Sequence, residues 1–288
     1  MITAIDLRDV KFVYGEGTVF RTGALNGVSV GIKKGRITGI IGHTGSGKST
    51  LVQMMNGLIK PTEGKVLLYG EDIFANKKRL RDVRFKVGLV FQYPEYQLFE
   101  ETVYKDIAYG PANMGLDRDE IDKRVKKACE FVGLDSSLLE KSPFELSGGQ
   151  KRRVAIAGIM AMEPEVLVLD EPASGLDPVG RSEIFGGLVH YKESTDSTVV
   201  IVSHSMEDMA EYADDIIVMN HGECFLQGKK EEVFERAESL CEIGLDVPQI
   251  TSLMNSLREK GFDLPRGIYT VEDAAKALLP ILSKGGKS

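Results

Sequence analysis

A chain of 288 residues, 42% of them hydrophobic and 27% charged, has the composition of an ordinary globular protein, large enough for one big domain or for a main domain with an appendage. Its formal net charge of −7 argues against a protein that mainly binds nucleic-acid phosphates, so we expect no nucleic-acid partner. The cysteines lack C-x-x-C spacing and no 18 apolar residues run together, which excludes a zinc knuckle and a membrane-spanning helix. Any membrane role must therefore be exercised through a partner.

The first predicted elements are short antiparallel strands. They lie at residues 5–14, 28–32 and 65–69, and turn residues rather than helices separate them. Further along the chain, β-branched runs alternate with helical patterns, which is typical of an α/β fold with a largely parallel sheet. The buried strands of that sheet are predicted at residues 37–41, 87–91, 166–169, 199–202 and 216–219.

The strand pattern disappears between about residues 94 and 162. Within this segment, residues 117–132 carry apolar side chains at helical spacing behind Asp117, a residue type that caps helix N-termini. We interpret residues 94–162 as a helical subdomain inserted into the sheet.

After residue 228 the pattern changes again. Two amphipathic helices are predicted, one across residues 250–257 and one that begins near residue 270. The chain therefore divides into a main domain, residues 1–228, and a small C-terminal helical appendage, residues 229–288.

A glycine-rich sequence follows the strand at residues 37–41 and precedes a predicted helix that begins near Lys48. It matches the pattern G-x-x-x-x-G-K-[ST], in which backbone N–H groups turn toward phosphate oxygens and the helix N-terminus favours an anion. Lys48 would reach the terminal phosphates and the Ser49 hydroxyl would ligate Mg²⁺, so the predicted ligand is a nucleoside triphosphate with magnesium. The predicted phosphate-binding residues are Gly42, His43, Thr44, Gly45, Ser46, Gly47, Lys48, Ser49 and Thr50.

Two carboxylates, Asp170 and Glu171, follow the apolar run at residues 166–169. In open α/β sheets, the carboxyl ends of the strands form the edge where ligands bind. Asp170 would hold Mg²⁺, and Glu171 would polarise the water that attacks the γ-phosphate. A strand that merely ends in solvated acids is the alternative, and the pair alone would favour it.

The neighbouring motifs favour the functional interpretation. In their order the chain resembles the ATP-binding cassette (ABC) ATPases, whereas the phosphate loop alone would leave kinases and GTPases open. The resemblance implies a P-loop ABC-type nucleotide-binding domain of α/β class, with an antiparallel β subdomain and an inserted helical subdomain. The motifs after the phosphate loop stand at residues 146–150, 170–171, 174–177 and 202–204.

In that family the Leu-Ser-Gly-Gly-Gln signature, here residues 146–150, lies at a helix N-terminus and faces the ATP held by the opposite subunit. The resemblance implies that Ser147 and Gly149 donate to that γ-phosphate. Gly148 and Gly149 permit close backbone approach, and the helix that begins near Gln150 favours an anion.

The resemblance assigns further residues by position. Gln92 matches the glutamine that contacts Mg²⁺ at the hinge of the helical subdomain, and Asp177 matches the aspartate that joins the two active sites. His204 matches the histidine that hydrogen-bonds the γ-phosphate. The implied metal ligands are Ser49, Gln92 and Asp170, and the implied catalytic residues are Glu171, His204 and Lys48.

Tyr14 is the predicted adenine-stacking residue. It ends an early strand just before a glycine-rich loop, where its flat apolar ring would cover a base. Phe12 and Phe20 are alternatives, as is a packing role for Tyr14.

A narrower resemblance, to the ATPases of energy-coupling factor (ECF) transporters for cobalt and vitamins, is carried by residues 91–103, 106–111, 142–145 and 243–248. Residues 42–45 look most like the A-prime type. The resemblance implies a homodimer or heterodimer of cassettes that closes on ATP, with dimerisation through the appendage, to drive import. It also implies a membrane (T) subunit, a substrate-binding (S) subunit and a peripheral place on the cytoplasmic face of the cell membrane.

Two other functions would leave different features in the sequence. A cytosolic ABC ATPase of translation or DNA repair usually has a duplicated cassette or a long coiled coil, and this sequence shows neither. A non-hydrolysing regulatory subunit would be expected to lack Glu171, His204 or part of the signature, all of which are intact.

Overall fold

The computed structural model describes residues 2–285, except for the side chains of Lys77 and of residues 283–285. The last residues of the predicted appendage, 286–288, lie outside this range. The strands are β1 Thr3–Tyr14, β2 Thr22–Lys33, β3 Ile37–Ile41, β4 Glu63–Leu68, β5 Glu71–Asp72, β6 Val87–Val90, β7 Val166–Asp170, β8 Thr198–Val202, β9 Asp215–Asn220 and β10 Glu223–Lys229. The helices are α1 Lys48–Met55, α2 Leu80–Lys86, α3 Val103–Asn113, α4 Arg118–Phe131, α5 Gly148–Met160, α6 Pro178–Thr195, α7 Met206–Tyr212, α8 Lys230–Phe234, α9 Ala237–Glu242, α10 Gln249–Glu259 and α11 Val271–Gly285.

Two sheets form the core of the molecule. The smaller has the strand order β2-β1-β4-β5 and is antiparallel, and the larger has the order β10-β9-β3-β8-β7-β6. In the larger sheet β9, β3, β8, β7 and β6 are parallel, and only β10 pairs antiparallel, at one edge. The predicted α/β class and the antiparallel β component are both confirmed.

The predicted strands are present, with one boundary clearly wrong. Strand β2 begins at Thr22 rather than at residue 28. Its first residues, Thr-Gly-Ala-Leu-Asn-Gly, have the composition of a turn, but they pair with β1 in a register that sets Tyr14 against Thr22. Cross-strand pairing thus overrides the weak local β-propensity of this segment.

Side chains of the central strands alternate between two buried layers. In β7, Leu167 and Leu169 join a cluster with the helices, while Val166 and Val168 join a second cluster with the antiparallel sheet. Both faces of β7 are therefore covered, which explains its continuous apolar sequence.

The segment 94–162 is helical, as predicted, and contains α3, α4 and α5. Asp117 caps α4, since its carboxylate accepts a hydrogen bond from the backbone N–H of Glu120 at 2.9 Å. These helices pack on one another through the larger cluster, so the insertion shares its core with the parallel sheet.

Between β10 and residue 285 there are four helices rather than the two that the sequence predicted. Helices α8 and α9 were missed because each has fewer than two turns, too short for a periodic pattern. Their residues Val233, Phe234 and Leu240 belong to the larger cluster, whereas α10 and α11 share a small cluster of their own. The division at residue 228 stays a prediction. Across residues 2–285, none of the helices has the length and apolar character that crossing a bilayer requires.

Candidate active site

The phosphate-loop motif connects β3 to α1 and is held by glycine geometry. Gly42, Gly45 and Gly47 have φ values of 150°, 81° and 99°, which residues with a Cβ rarely adopt. A Cβ on Gly42 would lie 2.2 Å from the carbonyl oxygen of Met219, and one on Gly47 would lie 2.7 Å from that of Ala24. The loop can follow this path only with glycine at residues 42 and 47.

Lys48 begins α1 and is buried, at 6% exposed. Its Nζ donates to the carbonyl oxygens of Gly42 at 2.6 Å and His43 at 2.8 Å. Burial lowers the pKa of Lys48, although the nearby carboxylates of Glu171 and Asp170 act in the opposite direction. The ammonium group is thus held at the inner rim of the loop, where a phosphate would compete with two carbonyls for it.

The two carboxylates stand at the end of β7. Burial raises the pKa of Asp170, and this is opposed by a hydrogen bond from the Ser49 side chain and by the charge of Lys48. Burial, with the negative charge of Asp170 as the second cause, raises the pKa of Glu171 to about 7. Glu171 also has a left-handed φ of 54°, and its N–H donates to the Val202 carbonyl at 3.0 Å.

His204 follows β8 and lies beside Glu171. Its Nε2 is 3.1 Å from Glu171 Oε1, but within residues 2–285 that oxygen has no hydrogen-bond partner of acceptable geometry. Burial lowers the pKa of His204, and Lys48 lowers it further. A largely neutral imidazole beside a buried carboxylate of raised pKa suits proton transfer.

These groups line one cavity of 350 Å³. Three residues at the start of β2 also line it, Thr22, Gly23 and Ala24, and the sequence analysis missed them because it began that strand too late. The signal that could have identified them is a β-hairpin in which Tyr14 pairs with Thr22, because it starts the second strand at residue 22. The predicted site residues that line the cavity are Tyr14, Thr44, Gly45, Gly47, Lys48, Ser49, Thr50, Gln92, Asp170, Glu171 and His204.

Tyr14 is the aromatic residue of this cavity; neither Phe12 nor Phe20 lines it. Its ring packs edge-on against Phe12, with centroids 4.8 Å apart, and its hydroxyl lies 3.1 Å from Thr50 Oγ1. Phe20 is 83% exposed. Adenine stacking on Tyr14 stays a prediction. The Tyr14 side chain lines the cavity beside the phosphate loop, which is where stacking would require it.

The other predicted site residues lie outside the cavity: Gly42, His43, Ser46, Ser147, Gly148, Gly149, Gln150 and Asp177. Gly42 and Ser46 shape the loop, and the ring of His43 contacts the C-terminal segment instead. Asp177 caps α6 by accepting from the N–H of Gly180 at 2.7 Å.

The signature residues form the N-terminus of α5. Ser147 Oγ accepts from the N–H of Gln150 at 3.3 Å, and the Gln150 side chain accepts from the N–H of Ser147 at 3.0 Å, a reciprocal capping box. The Ser147 hydroxyl can still donate its own proton. The helix start is therefore capped, exposed at Ser147 and Gly148, and able to bind an anion.

The residues present suit a magnesium ion. The buried Asp170 carboxylate and the Ser49 hydroxyl line the same cavity, and oxygen ligands of this kind, completed by phosphates and water, are those that Mg²⁺ prefers.

A glycine-shaped phosphate loop, an acidic strand end, a histidine after the neighbouring strand and an exposed signature helix together define an ATPase of the ATP-binding cassette class. The ABC transporter family model matches residues 25–174. Beyond that class, the chain belongs to the energy-coupling factor transporter ATP-binding proteins, because curated relatives of that name are 54% and 51% identical to it over 96% and 97% of its length. It is an ATPase coupled to transport.

Two curated relatives are named energy-coupling factor transporter ATP-binding protein EcfA2. The protein from Caldanaerobacter subterraneus subsp. tengcongensis is 54% identical over 96% of this chain and 97% of its own length. The protein from Clostridium tetani is 51% identical over 97% of this chain and 98% of its own.

Solved structures agree with this assignment. The structure of cbiO1 from Clostridium perfringens, which is part of the ABC transporter complex cbiONQ, has a TM-score of 0.75 and 40% identity over 88% of this chain and 100% of its own. A cassette dimer in a post-hydrolysis state with ADP and phosphate has a TM-score of 0.71 and 30% identity over 78% of this chain and 98% of its own. The predicted family and fold are confirmed.

Proposed function

We propose that the chain hydrolyses ATP as one half of a two-cassette dimer, homomeric or heteromeric, and that dimer closure drives an ECF-type importer of vitamins or transition-metal ions. The observation that carries this proposal is the convergence of Lys48, Asp170, Glu171 and His204 on one cavity beside the phosphate loop. Phosphoryl transfer chiefly requires a positioned nucleophile and charge neutralisation, and these four side chains supply both.

Each side chain has a distinct task. Lys48 leaves the loop carbonyls to neutralise the β- and γ-phosphates, and Glu171 orients the attacking water and accepts its proton. His204 donates a hydrogen bond to the γ-phosphate and limits the orientation of Glu171. Ser49, Asp170 and Gln92 would hold Mg²⁺, which would supply charge neutralisation to the phosphates.

The signature glycines support a site shared between two subunits. In the described part of the chain, no heavy atom lies within 4 Å of a Cβ built on Gly148, and the nearest to one on Gly149 is Leu176 Cδ2 at 3.6 Å. Neither residue has a left-handed φ. The chain itself therefore does not require glycine at either position, whereas the close approach of a nucleotide from a second cassette does.

A hydrophobic groove of 340 Å³ fits the docking of a membrane (T) subunit, which in turn carries a substrate-binding (S) subunit. It lies between α3, α5 and the segment at residues 94–99. Phe99 and Tyr109 form its rim in an edge-to-face pair with centroids 4.9 Å apart, and both are about half exposed. An apolar helix turn from such a subunit would bury these rings, and the chain would then be peripheral on the cytoplasmic face of the cell membrane.

Arg152 connects this groove to the nucleotide motifs. Its guanidinium is almost completely buried and binds both carboxylate oxygens of Glu95, at 3.1 and 2.7 Å, as well as the backbone carbonyl of Ser174. Burial would raise the pKa of Glu95, but Arg152 more than compensates and the pKa is lowered. Arg152 belongs to the signature helix α5, so displacement of the groove segment would be transmitted to the signature.

An Ala155→Phe variant tests the groove, because Ala155 lines it and a phenyl ring would fill it. We expect recovery with the membrane subunits to fall at least tenfold, while ATP affinity of the isolated chain stays unchanged, since about 1.4 kcal/mol of lost docking energy suffices. Ala112→Phe, on the exposed side of α3, is the matched control. Normal recovery of Ala155→Phe would place docking elsewhere.

Lys48→Ala tests the proposed site itself. Loss of a hydrogen-bonding ammonium group is expected to weaken ATP binding by about 10- to 100-fold, which corresponds to the typical net value of a charged hydrogen bond. Equilibrium titration with MgATP measures this change. If the ATP affinity of Lys48→Ala is unchanged, Lys48 does not bind the phosphates and the proposed phosphate site is wrong.

A further inference from the structure

One phosphate-loop side chain points away from the nucleotide cavity, toward the C-terminal part of the chain. His43 Nε2 lies 2.6 Å from the backbone carbonyl oxygen of Ile243, between α9 and α10. Because a carbonyl only accepts hydrogen bonds, Nε2 must carry the proton and donate it. Gly244 lies against the same ring, and a Cβ there would be 3.2 Å from Nε2.

The backbone of His43 is tied to the catalytic lysine. Its carbonyl oxygen accepts from Lys48 Nζ at 2.8 Å and from the N–H of Ser46 at 3.1 Å. His43 therefore joins two structures: its side chain holds the C-terminal segment, and its carbonyl holds the ammonium group. A displacement of the ring that moves the His43 backbone would alter the position from which Lys48 meets a phosphate.

The contacting segment, residues 243–249, is named here the strap, and it is firmly anchored. Leu245 and Val247 are buried in the larger hydrophobic cluster. The strap begins with the turn that ends α9, in which the N–H of Gly244 donates to Cys241 O at 2.8 Å and that of Leu245 to Leu240 O at 2.9 Å. Gly244 adopts a φ of 75°, as such helix ends require.

The other end of the strap reaches a second nucleotide element. The N–H of Gln249 donates to Glu207 Oε1 at 3.3 Å. Glu207 is in α7, the helix that follows His204 directly. The strap thus contacts both the phosphate loop after β3 and the helix after β8, although it lies outside the matched family segment at residues 25–174.

We propose that the strap is a positioning element for the phosphate loop, acting through His43, and that nucleotide binding is therefore coupled to the C-terminal helices. The proposal rests on the phosphate-site assignment made under the proposed function. When a nucleotide arrives, Lys48 must exchange the carbonyls of Gly42 and His43 for phosphate oxygens, so the loop that the strap holds is reorganised. Coupling of this kind is reciprocal: if the strap favours nucleotide binding, nucleotide must stabilise the strap.

Gly244→Ala is the primary test. The added methyl group meets His43 at 3.2 Å and strains a left-handed residue, so it should shift the strap from the ring. In the transporter complex we expect KM for ATP to rise about three- to tenfold with kcat within about twofold, since a positioning contact acts on binding. Gly261→Ala is the matched control, because its φ is 93° and, among the described residues, no atom lies within 4 Å of its Cβ. It should leave KM unchanged.

A double-mutant cycle with His43→Ala identifies the route. If Gly244 acts through His43, the doubly substituted chain should bind MgATP no more weakly than His43→Ala alone, whereas independent effects would multiply. Hydrogen exchange of the full-length chain gives a readout that does not depend on activity. MgATP should slow exchange of the strap amides at least threefold in the unaltered chain and leave it unchanged in His43→Ala.

The proposal is overturned if Gly244→Ala has the KM for ATP of the unaltered chain, or if Gly261→Ala raises KM by as much as Gly244→Ala does. It is also overturned if the effects of the two substitutions on MgATP affinity multiply, or if MgATP does not change hydrogen exchange of the strap amides. Should Gly244→Ala not fold, the exchange experiment on His43→Ala decides alone. Lys48→Ala distinguishes failure of the strap proposal from failure of the phosphate-site assignment. If Lys48→Ala loses ATP affinity while the strap variants do not, only the strap proposal fails. If Lys48→Ala binds normally, the phosphate-site assignment fails first.

Discussion

Glu171→Gln is expected to lower ATP turnover by about 10²- to 10⁴-fold, the usual contribution of a positioned general base, while ATP binding persists. The amide has the size of the carboxylate but cannot accept a proton from water. Bound ATP would then remain unhydrolysed, and the closed dimer should accumulate. Steady-state phosphate release, equilibrium ATP titration and size-exclusion chromatography with MgATP measure the three effects.

The fold should tolerate this change. Glutamine can adopt the same backbone conformation, and it removes a buried carboxyl group whose pKa is raised to about 7 by burial, so stability should not fall. Glu130→Gln, on the exposed face of α4, is the control and should hydrolyse ATP normally. Retained turnover in Glu171→Gln would show that another group activates the water. His204 would be the first candidate, because its Nε2 lies 3.1 Å from Glu171 Oε1.

The positions of the phosphate loop and of the acidic end of β7 can be predicted from the sequence, because the constraints on both are local. The loop turns at Gly42, Gly45 and Gly47 through φ values of 150°, 81° and 99°, which favour glycine at these positions, and Lys48 then begins the helix. Asp170 and Glu171 are placed by the end of β7 alone. Short-range geometry of this kind leaves a recognisable spacing in the chain.

Contacts between distant segments leave no such pattern. The cavity residues Thr22 to Ala24 depend on pairing of β2 with β1, and the sequence suggested a turn there. The sequence placed His43 among the predicted phosphate-binding residues and gave no sign of its side-chain partner, the backbone carbonyl of Ile243, which is 200 positions away and has no side-chain signature. A backbone acceptor can belong to any residue type, so this contact could be found only in the folded chain.

A Gly149→Asp variant should lower turnover by about 10²- to 10³-fold, because a carboxylate would face the γ-phosphate bound by the opposite subunit and repel it at short range. The chain has room for the side chain, since the nearest atom to the new Cβ is at 3.6 Å. The free energy of unfolding should therefore change by no more than about 0.5 kcal/mol, as for other surface substitutions. Gly186→Asp on α6, where the described residues leave the Cβ open, is the control.

In a homomeric assembly of this chain, mixing the variant with Lys48→Ala decides whether the site is shared. In a mixed dimer, the Gly149→Asp chain supplies an intact phosphate loop and the Lys48→Ala chain an intact signature, so one complete site forms while the other carries both defects. Two preparations that are nearly inactive alone should regain ATP turnover when co-assembled. If each chain held a whole site, mixing would restore nothing, because every site would still contain one of the two defects. Restoration therefore requires that Ser147 to Gln150 act on the nucleotide of the opposite chain, which is the arrangement that explains glycines the chain itself does not need.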